Sequence, residues 1–117
     1  MTSILKGFRP DAVFCANDYM AAGAMKVIHE SGLRIPQDIA VVGYDNTDIC
    51  TGTIPDLTTV DNHFEELGKS LARGLLELID NRTDHFGTCV RASIVLRGSH
   101  AAKRSSSRRL GRKGSKK

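Results

Sequence analysis

The sequence predicts an α/β fold built on a parallel βαβ unit, and three observations lead to that prediction. Two short apolar runs, residues 12–16 and 39–43, have the composition of strands that are buried on both faces of a parallel sheet. A helical pattern of apolar residues lies between them. Aromatic residues make up only 5% of the chain and Trp is absent. The core must therefore be aliphatic, which disfavours a small aromatic-rich β-sandwich.

The helix between the two strands has recognisable ends. Asn17 and Asp18 are both residue types that cap helices, and Gly32 is a typical residue just beyond a helix end. A strand, a helix and a strand within about 30 residues form a βαβ unit, whose strands are parallel and whose crossover is right-handed. The helix is expected to cover the sheet with apolar residues at three- and four-residue spacing, namely Ala21, Ala24, Met25 and Ile28.

The second half of the chain is predicted to add one helix and one strand. Residues 44–55 are rich in Asp, Asn, Thr and Gly, as in a loop, and residues 57–60 are extended. Apolar residues at helical spacing predict an amphipathic helix over residues 62–79. Residues 90–96 form the last predicted strand, and residues 1–8 resemble the end of a helix.

Charge divides the chain into two regions. Residues 1–96 carry 8 Lys and Arg against 13 Asp and Glu, whereas residues 97–117 carry 9 against none. Residues 100–117 also lack hydrophobic periodicity, so they are predicted to form a disordered basic tail. The tail is either a solubilising extension or a weak, sequence-independent nucleic-acid contact. The candidate phosphate-binding residues in it are Lys103, Arg104, Arg108, Arg109, Arg112 and Lys113.

Several functional classes lack support in the sequence. Cys15, Cys50 and Cys89 are too far apart for a disulfide framework or a CxxC metal pair, and no His spacing is typical of a metal site. We expect no metal and no cofactor, and the absence of a nucleophile–base pattern argues against an enzyme. No apolar run approaches the ~18 residues of a membrane span, and residues 1–10 are too polar for a signal peptide. A cytoplasmic protein is expected.

Polar residues follow both strands of the predicted βαβ unit. Asn17 and Asp18 follow the first strand, and Asp45 and Asn46 follow the second. Ligands of parallel α/β sheets bind beyond the carboxyl ends of strands, so Asn17 and Asp45 are candidates for binding a polyhydroxylated ligand. Asp18 and Asp45 would repel a phosphate, which favours a sugar. The alternative is that these residues only cap a helix and form a turn.

Four segments in register resemble the effector-binding region of LacI/GalR-type transcription regulators. They are residues 10–25 (PDAVFCANDYMAAGAM), 32–38 (GLRIPQD), 41–45 (VVGYD) and 57–60 (LTTV), and residues 96–99 (LRGS) resemble the end of such proteins. The resemblance implies a partial periplasmic-binding-protein-like (type I) fold, with three αβα layers and a carbohydrate-like effector bound between two lobes. Full-length members also carry an N-terminal DNA-binding headpiece, which no part of this sequence resembles.

The resemblance also implies roles for particular residues. Asn17 and Asp45 match effector-binding positions, Asn62 matches a polar contact and Phe64 an aromatic contact, although Phe64 would suit a core position equally. Residues 10–60 are expected in one lobe, with residues 61–99 crossing to the other. The predicted function is the sugar-sensing part of a repressor that reaches DNA through a headpiece. The alternative is a nucleic-acid-binding protein that acts through its tail.

The resemblance further implies a homodimer contact. The segments that match dimerisation regions run from Ala21 to Glu30 and from Cys50 to Thr53. The alternative for the first of them is an ordinary helix face that covers the sheet. Because the chain would hold parts of two cores, its folding in isolation is expected to be poor.

Overall fold

A computed structural model describes residues 2–101 of the protein. The predicted basic tail, with its six candidate phosphate-binding residues from Lys103 to Lys113, lies outside the described residues. The elements, in chain order, are α1 (Thr2–Gly7), β1 (Ala12–Phe14), α2 (Asp18–Glu30), β2 (Ala40–Val42), a 3-10 helix (Asp48–Thr51), β3 (Thr59–Asp61), α3 (Phe64–Ile79) and β4 (Ser93–Val95).

The predicted parallel βαβ unit is confirmed. β1 pairs with β2 in parallel, with Ala12 opposite Ala40 and Phe14 opposite Val42, and α2 forms the connection between them. Both strands are shorter than the apolar runs that predicted them. The ladder extends by one further bond, since the Cys15 N–H donates to the Val42 carbonyl at 2.9 Å.

The core lies between α2 and this sheet. Its α2 residues recur at the predicted helical spacing, and Ala21, Met25 and Ile28 are all buried. They pack in one cluster with Ile39 and Val41, and Leu57 completes it from the segment before β3. Full burial of an aliphatic side chain of this size stabilises a fold by about 1.5–3 kcal/mol, so this cluster is the main source of stability in the first unit.

β3, α3 and β4 form a second unit, with β3 and β4 antiparallel. α3 begins two residues later than the sequence predicts, because His63 has a left-handed backbone (φ 51°, ψ 52°) that no α-helix continues. The predicted loop of residues 44–55 also contains the short 3-10 helix.

The apolar face of α3 is largely exposed. Leu71, Leu75 and Ile79 are 49%, 58% and 64% exposed, although their spacing is that of a core-facing helix. Gly74 is the buried residue of the helix, and it lies directly beneath the ring of Phe86. Amphipathicity predicted the helix correctly, whereas packing among the described residues leaves much of its apolar side uncovered.

The segment after β4 returns to the first unit. The Ser99 hydroxyl donates to the Val41 carbonyl at 2.6 Å, and the Val41 N–H donates to the Ser99 carbonyl at 2.8 Å. The Thr58 N–H donates to the Ser99 hydroxyl at 2.8 Å, and Ser99 is fully buried. Residues 97–100 thus lie against β2 and the segment before β3. The assignment of residues 10–60 and 61–99 to two lobes stays a prediction.

Candidate functional site

The turn after β2 has an unusual backbone. Asp45 has φ 101° and Asn46 has φ 53°, so two consecutive non-glycine residues lie at positive φ. Such backbone is strained at Asp45 and persists only where surrounding contacts hold it. The Asp45 N–H donates to the Val60 carbonyl at 2.8 Å, and the Asn46 N–H donates to the Thr59 hydroxyl at 3.3 Å. β3 therefore fixes the turn from one side.

Asp18 fixes the turn from the other side. One oxygen of its fully buried carboxylate accepts from the backbone N–H and the hydroxyl of Thr47, at 2.7 and 3.1 Å. The other oxygen accepts from the Thr59 hydroxyl. Burial alone would raise the pKa of Asp18, but the hydrogen bonds from Thr59, Thr47 and Cys50 lower the pKa below its ordinary value of 3.8. Asp18 is therefore a buried, ionised anchor for the turn.

Asp61, the last residue of β3, is also held in place. It accepts from the backbone N–H of His63 at 2.7 Å and from the Asn46 side-chain amide at 3.0 Å. These bonds, the one from His63 first, lower the pKa of Asp61 below its ordinary value. The His63 ring in turn contacts the Ser93 hydroxyl of β4 at 3.0 Å.

An open cleft of about 750 Å³ lies between this turn and the first turns of α3. Its walls combine carboxylates, one aromatic ring and two basic side chains. Lys69 is paired with Glu65 at 2.6 Å across one helical turn. Among the described residues, those that line the cleft are Asp45, Asn46, Asp61, His63, Phe64, Glu65, Glu66, Lys69, Ser70 and Arg73. Carboxylates outnumber basic side chains in the lining, so the cleft is rich in hydrogen-bond acceptors.

The structure brings together three of the four predicted site residues. Asp45 and Phe64 line the cleft, and the Asn62 amide donates to the Asp45 carboxylate at 3.3 Å. Phe64 is 55% exposed, so of the two alternatives for this residue the structure places it at the cleft and outside the core. Asn17 does not line the cleft, and its side-chain oxygen accepts from the Met20 N–H at 2.8 Å as the cap of α2.

Sequence reasoning missed three residues of this region. Asp18 and Asn46 belong to the two polar dipeptides that follow the strands, but the prediction assigned ligand binding to their neighbours Asn17 and Asp45. Arg97 had no local signal, because its side chain contacts Asn46 across 51 positions of the chain. Within residues 2–101, no group of three His, Cys, Asp or Glu is arranged to hold a metal ion. Nor is any helix of that range long and apolar enough to cross a lipid bilayer.

The two segments predicted for dimerisation have mixed exposure. On α2, Met25 and Ile28 face the core, while Lys26 and Glu30 are exposed. Cys50 is fully buried, whereas Ile54, just beyond the second segment, is 92% exposed. The buried face of α2 therefore covers the sheet.

Residues 1–100 match the family model of periplasmic binding protein-like domains. The chain belongs to this family. Its predicted resemblance to LacI-type regulators is also confirmed, because the similar curated proteins are repressors of that type. The ribose operon repressor of Haemophilus influenzae is 41% identical over 92 residues, which cover 78% of this chain and 28% of the repressor. The lactose operon repressor of Escherichia coli is 41% identical over 97 residues, which cover 83% of this chain and 27% of the repressor.

Solved structures agree with the family assignment. The lac repressor dimer bound to operator and the anti-inducer ONPF superposes with a TM-score of 0.80 at 40% identity, over 86% of this chain and 35% of that one. The predicted periplasmic-binding-protein-like α/β fold is thereby confirmed. The chain spans little more than a quarter of the length of the two curated relatives, with 28% and 27% covered.

Proposed function

We propose that this periplasmic binding protein-like chain is the sugar-sensing part of a LacI-type transcription regulator. A small carbohydrate-like effector binds in the cleft beside α3, and its binding changes the DNA affinity of the full-length protein through a headpiece. Such coupling requires that the effector bind two states of the protein with different affinities. The relatives support the regulator assignment, and the cleft supports the choice of effector.

The observation that carries the proposal is the position of Asp45. Asp45 lines the cleft on a strained turn, and the turn is held by Asp18 and β3. A carboxylate accepts from two neighbouring hydroxyls, and the Asn62 amide beside it adds donor and acceptor capacity. The aromatic side chain of Phe64 lines the same space, which suits the apolar face of a sugar ring.

The charge of the cleft disfavours an anionic effector. Four carboxylates line it, those of Asp45, Asp61, Glu65 and Glu66, against the basic side chains of Lys69 and Arg73. A phosphorylated sugar would meet net negative charge, whereas a neutral sugar would meet acceptors for its hydroxyls. The names of the relatives include the ribose and lactose operon repressors, so D-ribose and lactose are the first probes.

Isothermal titration of the full chain with D-ribose, lactose and glucose 6-phosphate tests the proposal. We expect binding of a neutral sugar and no binding of the phosphorylated one. Asp45→Ala should weaken the sugar affinity by roughly tenfold or more, since a charged hydrogen-bond partner is lost. The matched control is Asp48→Ala, an exposed carboxylate of the next turn, which should leave affinity unchanged. Equal affinities of wild type and Asp45→Ala would contradict the assignment of Asp45.

We also propose that two copies associate through the exposed side of α2 and Ile54. An almost fully exposed isoleucine next to the predicted segment of residues 50–53 supports this contact. Sedimentation equilibrium of wild type and Ile54→Asp tests it. We expect a weaker dimer in the variant, and an unchanged distribution would exclude this face.

A further inference from the structure

The side-chain amide of Asn46 lies between two groups of opposite hydrogen-bonding type. Its Oδ1 accepts from Nη2 of Arg97 at 2.9 Å, and its Nδ2 donates to Oδ2 of Asp61 at 3.0 Å. A guanidinium only donates and an ionised carboxylate only accepts. The amide therefore has a single satisfactory orientation, because inverting it would break both bonds.

Arg97 is itself held firmly by the segment before β3. Its Nη1 donates to the Leu57 carbonyl at 2.9 Å, and its backbone N–H donates to the Thr58 hydroxyl at 2.8 Å. Leu57 and Thr58 are buried, so the guanidinium is anchored to the first unit before it reaches Asn46. The C-terminal segment thus supplies a fixed donor to the turn after β2.

The side-chain nitrogen of Asn46 holds the carboxylate of Asp61 in position. With Asn46 on Oδ2 and the His63 N–H on Oδ1, both oxygens of this carboxylate have partners within the protein. Asp61 and Asp45 line the same cleft. If Asp61 were released from Asn46, a second free carboxylate would face the cleft close to Asp45. It would compete for ligand hydroxyls and repel the first carboxylate.

From these contacts, and resting on the proposed function, we propose that Asn46 is a positioning residue of the effector cleft and that Arg97 is its anchor. The pair keeps the Asp61 carboxylate bound within the protein, so that Asp45 is the carboxylate that accepts from the effector. The amide is needed at position 46 because it must accept from Arg97 and donate to Asp61 simultaneously.

We call the hydrogen bonds from Arg97 to Asn46 and from Asn46 to Asp61 the relay. Exchanging the amide and the carboxylate between positions 46 and 61 tests it. In Asn46→Asp the new carboxylate faces Asp61, and we expect sugar affinity to fall roughly tenfold at pH 7, since like charges at this distance repel strongly. In the double variant Asn46→Asp/Asp61→Asn, the carboxylate at position 46 accepts from Arg97 and from the amide now at position 61. The oxygen of that amide accepts from the His63 N–H. Its affinity should return to within about threefold of wild type.

Arg97→Lys is a milder second variant. A lysine keeps the charge but lacks the fork that reaches both Asn46 and Leu57, so we expect an intermediate loss of affinity. All titrations use the full chain with D-ribose and lactose, well below the melting temperature of each variant. Wild-type affinity in Asn46→Asp, or a folded double variant that fails to recover, would overturn the relay.

A ligand-free measurement separates this inference from the proposed function. If wild type binds neither sugar, the proposed function fails, and the relay is then judged on the pKa of Asp61 followed by carboxyl-carbon NMR. We expect this pKa to rise in Asn46→Ala and to stay low in Asp48→Ala, the exposed control. An unchanged Asp61 pKa in Asn46→Ala would overturn the inference whatever the outcome with sugars.

Discussion

The Asp18 carboxylate, at the start of α2, accepts a hydrogen bond of 2.5 Å from the hydroxyl of Thr59 in β3. The same carboxylate holds the backbone N–H and hydroxyl of Thr47. The buried Asp18 carboxylate therefore joins the βαβ unit to the start of the second unit, in addition to the hydrogen bonds that Asp45 and Asn46 make to β3. A buried carboxylate is stable only when its oxygens are satisfied in this way.

Replacement of Asp18 should destabilise the protein strongly. Asp18→Ala leaves the Thr47 N–H and the Thr59 hydroxyl without their acceptor, and we expect a loss of about 3 kcal/mol in the free energy of unfolding. Chemical denaturation of the full chain measures it. Asp11→Ala, an exposed carboxylate in the same half of the chain, should change stability by less than about 0.5 kcal/mol. Similar losses in both variants would show that Asp18 has no special role.

Stability should fall with acid in a way that depends on Asp18. Its pKa in the folded protein is below the ordinary 3.8, so the unfolded chain binds more protons at low pH. The contribution is complete above the unfolded pKa and is lost as the pH falls through the folded pKa. Urea midpoints between about pH 6 and about pH 2.5 should therefore fall below pH 4. The fall should be shallower in Asp18→Asn, and an equal slope in the two proteins would refute this linkage.

Asp61 and Asp38 contribute to the same decline. The pKa of each carboxylate is lowered, that of Asp38 to about 2 by hydrogen bonds from Arg34. Because these two groups still titrate in Asp18→Asn, the urea midpoint of the variant should still fall with acid, but less steeply than that of the wild type.

Gly43 should be intolerant of any side chain. A Cβ at this position would collide with Oδ1 of Asp18 and meet Cδ2 of Leu57 at 3.0 Å. Gly43→Ala must displace the buried carboxylate, so we expect a loss of at least about 2 kcal/mol in thermal denaturation. Gly68→Ala is the matched control, since nothing lies within 4 Å of its Cβ. In the interior of α3 it should stabilise by about 0.5–1 kcal/mol. Equal effects at both positions would be inconsistent with the packing described.

The three cysteines should differ sharply in reactivity. Cys15 and Cys50 are buried, whereas Cys89 is exposed. Burial and the neighbouring Asp18 carboxylate raise the pKa of Cys50 to about 11, and burial raises the pKa of Cys15. Since the thiolate is the reactive form, a thiol reagent should label one cysteine rapidly in the native chain and all three in denaturant. Rapid labelling should vanish in Cys89→Ser, and two fast thiols in the wild type would contradict this order.

The exposed face of α3 should make the isolated chain self-associate. Leu71, Leu75 and Ile79 form an apolar stripe with little cover, and such stripes drive association. We expect the double variant Leu71→Lys/Leu75→Lys to elute closer to monomer size in gel filtration and to bind less of a hydrophobic dye. The control is the single exchange Glu66→Lys, of an exposed residue on the same helix, because it raises the net charge by the same two units without removing an apolar side chain. A cooperative melt of residues 1–99 at monomeric size would contradict the expectation of poor folding in isolation.

The sequence predicted the local features of the fold and missed its long-range contacts. Apolar runs and helical spacing predicted β1, α2, β2 and α3, because these signals come from residues within one turn or one pleat of each other. The ends predicted for β1 and β2 were too long by one or two residues, since apolar character continues past the last paired position. The last strand, predicted over residues 90–96, begins three residues later and is β4 (Ser93–Val95). The left-handed backbone of His63 sets the start of α3, and histidine adopts that backbone too rarely for its residue type to predict it.

The site shows the same division. Strand-end reasoning found Asp45, and the family resemblance found Asn62 and Phe64, all of which lie at or next to the cleft. The sequence does not show that Asp18 matters more to the site than Asn17, because a dipeptide does not reveal which side chain is buried and which caps the helix. Arg97 escaped notice because its partner lies half a chain away. Arg97 is also the first residue of a basic segment, and net charge carries no information about individual contacts.

The burial of Ser99 has a consequence for how the protein is made. The βαβ unit and its core lie within the first 60 residues, yet Val41 of β2 accepts one hydrogen bond from Ser99 and donates another to it. Synthesis proceeds from the N-terminus, so a nascent chain must present β2 without this neighbour until the segment after β4 has left the ribosome. Fusion partners or truncations at the C-terminus should accordingly change folding yield more than those at the N-terminus.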